Sequence, residues 1–123
     1  AVERGMLPLG VVAIAASTEE GAVDPIHRIA ALRGDLEARG HTFWLHIDAA
    51  WGGYFRSLFH SGTNETPEQC AAEVRQFVRR DLTISSGRYQ KHLSLQWGFP
   101  DLCAAFQAFP LAESITVDPH KMG

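Results

Sequence analysis

Lysine is nearly missing from this chain: Lys91 and Lys121 are the only two, beside nine arginines. Eleven basic residues against fourteen acidic ones leave a net charge of -3, so a surface to hold the phosphates of a nucleic acid finds little support. Cysteine is almost as scarce. Cys70 and Cys103 allow one bridge at most and lack metal-ligand spacing; they read as buried thiols, with a reducing cytoplasm as the expected compartment. No apolar run approaches the roughly 18 residues of a membrane span, and no basic segment leads into a long apolar stretch near the start, so neither a span nor an export signal is expected. With 46% hydrophobic and 20% charged residues the chain can bury a core, and disorder is a poor reading. An initiator Met is also lacking, an apolar run follows within a few residues of Ala1, and the chain stops two residues after Lys121. A fragment lying within one domain of a longer protein, residues 1–123, is the expectation.

The apolar run Val11 to Ala16 is too short for a helix and suits a parallel strand covered on both faces. Asp24-Pro25 offers a capping side chain and a first helical residue, Ile26, Ile29, Leu32 and Leu36 fall at helical spacing, and Arg39-Gly40 ends the helix. Phe43 to Asp48 is again strand-like, with Phe43, Leu45 and Ile47 on one face and Trp44, His46 and Asp48 on the other. Strand, helix and strand make a βαβ unit, and open parallel sheets bind ligands beyond the carboxyl ends of their strands. Thr66-Pro67-Glu68-Gln69 resembles a capping box before a helix to about Arg80. Gly87 to Gly98 shows no clean period and reads as a loop over the site. Phe99 to Phe109 suits a short helix, and Ser114 to Asp118 a last strand.

Two of these strands end in dense chemistry. Asp48 is followed by Ala49-Ala50 and Gly52-Gly53, small residues that would let a flat ligand approach the carboxylate. Asp118-Pro119-His120-Lys121 places one lysine on a turn that proline restrains. A lysine to hold pyridoxal 5'-phosphate as a Schiff base and a carboxylate to keep its ring nitrogen protonated are what that cofactor requires, and Lys121 and Asp48 have the right types.

At these residues the sequence resembles the group II pyridoxal 5'-phosphate-dependent amino-acid decarboxylases. Ser17-Thr18-Glu19-Glu20-Gly21-Ala22-Val23-Asp24-Pro25-Ile26, His46-Ile47-Asp48-Ala49-Ala50-Trp51-Gly52-Gly53-Tyr54 and Ser114 to Gly123 look like that family's motifs, in order, and the bacterial tyrosine decarboxylase branch is the most similar. The resemblance implies an α/β fold: a mostly parallel sheet with helices on both faces, part of the large domain of a fold-type I enzyme. It implies Lys121 as the Schiff-base lysine, Asp48 as partner of the ring nitrogen, Ala50 against the ring face, His120 near the cofactor phosphate and Thr18 lining the pocket. It further implies a homodimer and, for the full-length protein, decarboxylation of an L-amino acid, L-tyrosine first and L-glutamate or L-aspartate second. The ring-stacking histidine, part of the phosphate cup and the small domain are not in this stretch, so the chain alone is expected to be inactive.

Other readings compete at single residues. His46 reads as structural, and Trp51, Tyr54, Tyr89 and Trp97 fill a core or line a substrate pocket. A metal-dependent hydrolase would use His46, Asp48, Asp118 and His120 but leaves Lys121 without a purpose. An inactive relative serving as a dimerisation surface is the non-enzymatic alternative.

Overall fold

The structure, a computed structural model, describes residues 4–59, 66–77, 81–94 and 99–122. In chain order its elements are β1 (Gly10–Ile14), α1 (Ile26–Glu37), β2 (Trp44–Asp48), a 3-10 helix (Gly53–Phe59), α2 (Pro67–Phe77), β3 (Asp81–Ser86), β4 (Tyr89–Ser94), α3 (Pro100–Gln107), a 3-10 turn (Phe109–Leu111), β5 (Ser114–Thr116) and α4 (Pro119–Met122). β1, β2 and β5 form a parallel sheet in the order β1-β2-β5, with Ile14 opposite Asp48 and Asp48 opposite Thr116.

Alternation along the strands sets the core. Leu45 and Ile47 are fully buried with Ala13, Ala15 and Phe43, and burial of each large side chain contributes about 1.5–3 kcal/mol. Ile26 of α1, Cys70, Ala71 and Val74 of α2, and Cys103, Ala105 and Phe106 of α3 close over this same face. Phe106 stacks on Phe59 at 4.6 Å and on Phe109 at 5.2 Å. The opposite face is bare among the described residues: Val12 is 63% exposed and Trp44 56%, so the expected cover on both faces is found on one.

Several expectations about the helices need adjustment. Asp24 does not cap α1. Its carboxylate accepts the Ile14 N–H at 2.7 Å while its own N–H donates to the Ile14 carbonyl at 2.8 Å, so it satisfies the outer edge of β1, which has β2 on its other side. Leu32 is 54% exposed. The position one turn on from Ile29 that faces inward is Arg33, whose guanidinium donates to the Leu111 carbonyl at 2.8 Å and pairs with Glu113. The capping box of α2 is present: Thr66 N–H donates to Gln69 Oε1 at 2.8 Å, and Gln69 N–H donates to Thr66 Oγ1 at 3.3 Å. That helix is described to Phe77; residues 78–80 lie outside the described residues.

Gly87 to Ser94 is not a loop. β3 and β4 form an antiparallel hairpin whose two-residue turn, Gly87-Arg88, has Gly87 at φ +60. A positive φ at the first turn residue matches the twist of the flanking strands, and glycine adopts it without penalty. Thr83, Ser85, Gln90 and His92 make one face polar, and on the other Ile84 and Tyr89 stay exposed, which hid this pairing. The expected last strand is also shorter, and the expected proline-restrained turn is a helical one, Pro119–Met122.

Candidate functional site at the strand ends

Parallel pairing delivers three chain segments to one edge of the sheet: Ala16 to Thr18 after β1, Asp48 at the end of β2 with Ala49 and Ala50 after it, and Val117 to Lys121 after β5. The middle segment is tied to both neighbours. Ala15 N–H donates to the Asp48 carbonyl at 2.9 Å, and Ala49 N–H donates to the Thr116 carbonyl at 3.0 Å. Asp48 is half-buried, and its Oδ1 accepts the Ala50 N–H at 3.1 Å, which fixes the carboxylate at the strand end. Ala50 is half-buried beside it, whereas Ala49 is fully buried and belongs to the core.

Gly52 and Gly53 serve packing and do not clear space for a flat ligand. A Cβ on Gly53 would meet Val117 Cγ2 at 2.6 Å, and one on Gly52 would meet the end of β1. The turn after β2 is therefore wedged between the segments leaving β1 and β5. Ala16, beside that wedge, has φ +69, a left-handed backbone that a residue with a Cβ seldom adopts.

The loop after β1 is held by Ser17, whose Oγ donates to Glu20 Oε2 at 3.1 Å and accepts the Ala22 N–H at 3.1 Å. Thr18 sits in this loop, exposed. His120 is exposed on the first turn of α4. Lys121 follows it in that turn, and its side chain lies outside the described residues. Thus Asp48, Ala50, Thr18, His120 and the backbone of Lys121 share one sheet edge.

His46 lies on the bare face of β2, its imidazole against β5: Nδ1 is 2.8 Å from Ser114 Oγ and Nε2 is 3.3 Å from Thr116 Oγ1. Both nitrogens are thus engaged by hydroxyls, and the described residues hold no group of three or more His, Cys, Asp or Glu side chains placed for a metal ion. Trp51 and Tyr54 are part-exposed just beyond Asp48, Tyr89 is on the hairpin, and Trp97 lies outside the described residues.

Sequence reasoning missed Glu113. Its Oε2 accepts the Leu45 N–H at 2.7 Å and its N–H donates to the Leu45 carbonyl at 3.0 Å, extending the β2 ladder one residue before β5. The bond from Leu45 first, and Arg33 in addition, hold its carboxyl below the usual range. The position was hidden by its surface-type residue. Cys70 and Cys103 are both free and fully buried, as expected. Burial first, and contact with Cys70 next, push the Cys103 thiol up to about 12. Among the described residues no helix is long and apolar enough to cross a membrane.

A parallel sheet with helices over one face and polar groups at the carboxyl ends of adjacent strands defines an α/β unit, a class whose ligands bind at those strand ends. More particularly, the chain belongs to the pyridoxal-dependent decarboxylase family, whose conserved-domain profile matches residues 1–66. It is 45% identical over 116 residues to an L-tyrosine decarboxylase of Levilactobacillus brevis and 41% identical over 115 residues to one of Enterococcus faecalis, each match covering 94% of this chain. An L-2,4-diaminobutyrate decarboxylase of Rhizobium meliloti is 45% identical over 50 residues, 41% of this chain and 9% of that protein. The chain spans 17% of the length of the two tyrosine decarboxylases. Family membership makes pyridoxal phosphate the cofactor.

Proposed function

We propose that this chain is part of the large domain of a homodimeric enzyme that decarboxylates an L-amino acid, L-tyrosine first, to its amine and carbon dioxide. The observation that carries this reading is the register of Asp48 against Thr116, which sets a half-buried carboxylate on the strand adjoining the one that runs into Pro119-His120-Lys121. The donor set suits pyridoxal phosphate, because one carboxylate oxygen is anchored by Ala50 N–H while Oδ2 has no hydrogen-bond partner among the described residues.

When bound, pyridoxal phosphate supplies a ring that draws off the electron pair left on the α-carbon as carbon dioxide departs. Asp48 would hold a proton at the ring nitrogen, as a fixed charge preorganised by the Ala50 bond. Ala50, half-buried beside it, would help hold the ring. Lys121, in the helical turn that Pro119 begins, would be the amine that carries the cofactor. His120 contributes to the phosphate and Thr18 to the pocket wall.

For the substrate, both tyrosine decarboxylases align along nearly all of this chain. An acidic substrate would need a committed cation, and Arg56 donates to the Phe59 carbonyl at 3.1 Å while Arg88 stands at the hairpin turn. Trp51 and Tyr54 leave aromatic surface close to Asp48. Competition between L-tyrosine, L-phenylalanine, L-glutamate and L-aspartate on the full-length enzyme tests the reading. L-tyrosine should show the highest kcat/KM, and a higher value for either acidic substrate overturns the choice.

A further inference from the structure

β5 pairs with β2 over three residues, and a strand that short specifies its register weakly. A slip by two residues would keep every side chain on its own face yet displace the segment after β5 by about 6.6 Å along the sheet, at about 3.3 Å per residue. His46 opposes that slip. Its two ring nitrogens reach Ser114 Oγ and Thr116 Oγ1, consecutive side chains on the same face of β5, and so match one repeat of that strand. Trp44 Nε1 donates to the same Ser114 Oγ at 3.0 Å. With the imidazole proton on Nε2 the donors run in one direction, Trp44 to Ser114, Ser114 to His46 Nδ1, and His46 Nε2 to Thr116.

We propose that His46 is a positioning residue: by bridging Ser114 and Thr116 it sets the register of β5 on β2, and through it the place of the Pro119–Met122 turn relative to Asp48. The inference rests on the proposed function, since the distance it governs matters only if Asp48 and Lys121 act on one molecule.

The test uses the full-length enzyme with three readouts: steady-state kinetics on L-tyrosine, the rate at which the apoenzyme captures pyridoxal phosphate in borohydride-fixable form, and amide exchange at Ala49, whose N–H is held by the Thr116 carbonyl. His46→Ala should lower kcat about 100-fold, the cost of misplacing a reacting group by about 1 Å, with a much smaller change in KM. Capture should slow as well, and Ala49 exchange should quicken about tenfold, as for one lost net hydrogen bond. His46→Asn, which retains a partner for Ser114, should restore most of kcat and capture. The Ser114→Ala, Thr116→Val double variant removes the same bonds from the other strand and should reproduce the His46→Ala profile; it decides the matter if His46→Ala does not fold. Faster Ala49 exchange with unchanged kcat and capture overturns the positioning role, as does an Asn variant no better than Ala. A wild-type enzyme that neither captures the cofactor nor turns over an L-amino acid overturns the proposed function first, and the positioning role with it.

Discussion

The Cβ that Gly52 lacks would lie 2.3 Å from the carbonyl oxygen of Ala15. Ala15 closes the β1 side of the sheet edge and Gly52 lies in the turn just after Asp48, so this approach locks the carboxylate's strand to its neighbour. Main chain meets main chain there, and neither can yield like a flexible side chain. Gly52→Ala should therefore destabilise the protein by about 1–3 kcal/mol or more, the range for overpacking a filled site. Urea denaturation reads this as a lowered midpoint with an unchanged slope; an unchanged midpoint would refute the contact.

Gly53 makes a related contact with a softer partner. Its Cβ would meet the Val117 side chain, Cγ2 at 2.6 Å and Cγ1 at 2.7 Å. Gly53→Ala should destabilise less than Gly52→Ala, and Val117→Ala should relieve part of the loss. A double-mutant cycle on the two positions should show a coupling of about 0.5–3 kcal/mol; strict additivity would place the strain elsewhere.

Glu113 gives stability a dependence on acid. Its carboxyl is held below the ordinary value of 4.5, so the stabilisation it contributes is complete above that value and is lost as pH falls through the lowered folded pKa. Glu113→Gln keeps an acceptor for the Leu45 N–H but removes the charge. The gap in Tm between the wild type and this variant should be constant near neutrality and close as pH is lowered below the ordinary carboxyl value of 4.5. A gap that widens on acidification would reverse the assigned direction.

For the proposed chemistry, Asp48→Ala in the full-length enzyme should reduce kcat about 100- to 1,000-fold, the usual effect of removing one preorganised electrostatic partner. Thr18→Ala should cost much less, since Thr18 is exposed on its loop. Lys121→Ala should abolish turnover and end borohydride fixation of the cofactor at that position. Comparable mild losses at Asp48 and Thr18, or fixation that persists without Lys121, would remove these assignments.

What the sequence disclosed follows from where the physics is local. The inward alternation of Phe43, Leu45 and Ile47, the capping box at Thr66 and the buried character of both cysteines all rest on neighbouring residues, and all were legible. Asp24 deceived because Asp-Pro before a helix offers a cap, while the unpaired edge of β1 presents the same carboxylate with a competing donor. The Gly52-Gly53 pair is visible in the sequence, yet its purpose depends on how closely β1 and β5 flank it, which no local pattern encodes. The hairpin escaped because one of its faces is polar and on the other Ile84 and Tyr89 stay exposed. At the site, the strand ends could be anticipated; the His46 bridge to Ser114 and Thr116 could not, because it joins residues about seventy positions apart.

That long separation also orders assembly in time. The pairing of Ile14 with Asp48 closes 34 residues of chain, and that of Asp48 with Thr116 closes 68. Doubling the closed length adds about 0.6 kcal/mol of entropic cost, and pairings distant in sequence form slowly. The βαβ unit that carries Asp48 can thus collapse first, and β5 docks onto a template already formed. During synthesis the carboxylate's strand emerges well ahead of its partner, leaving the outer edge of β2 unpaired until residues 114–116 leave the ribosome. Whatever shields that edge in the interval governs how much of the newly made protein reaches the native state.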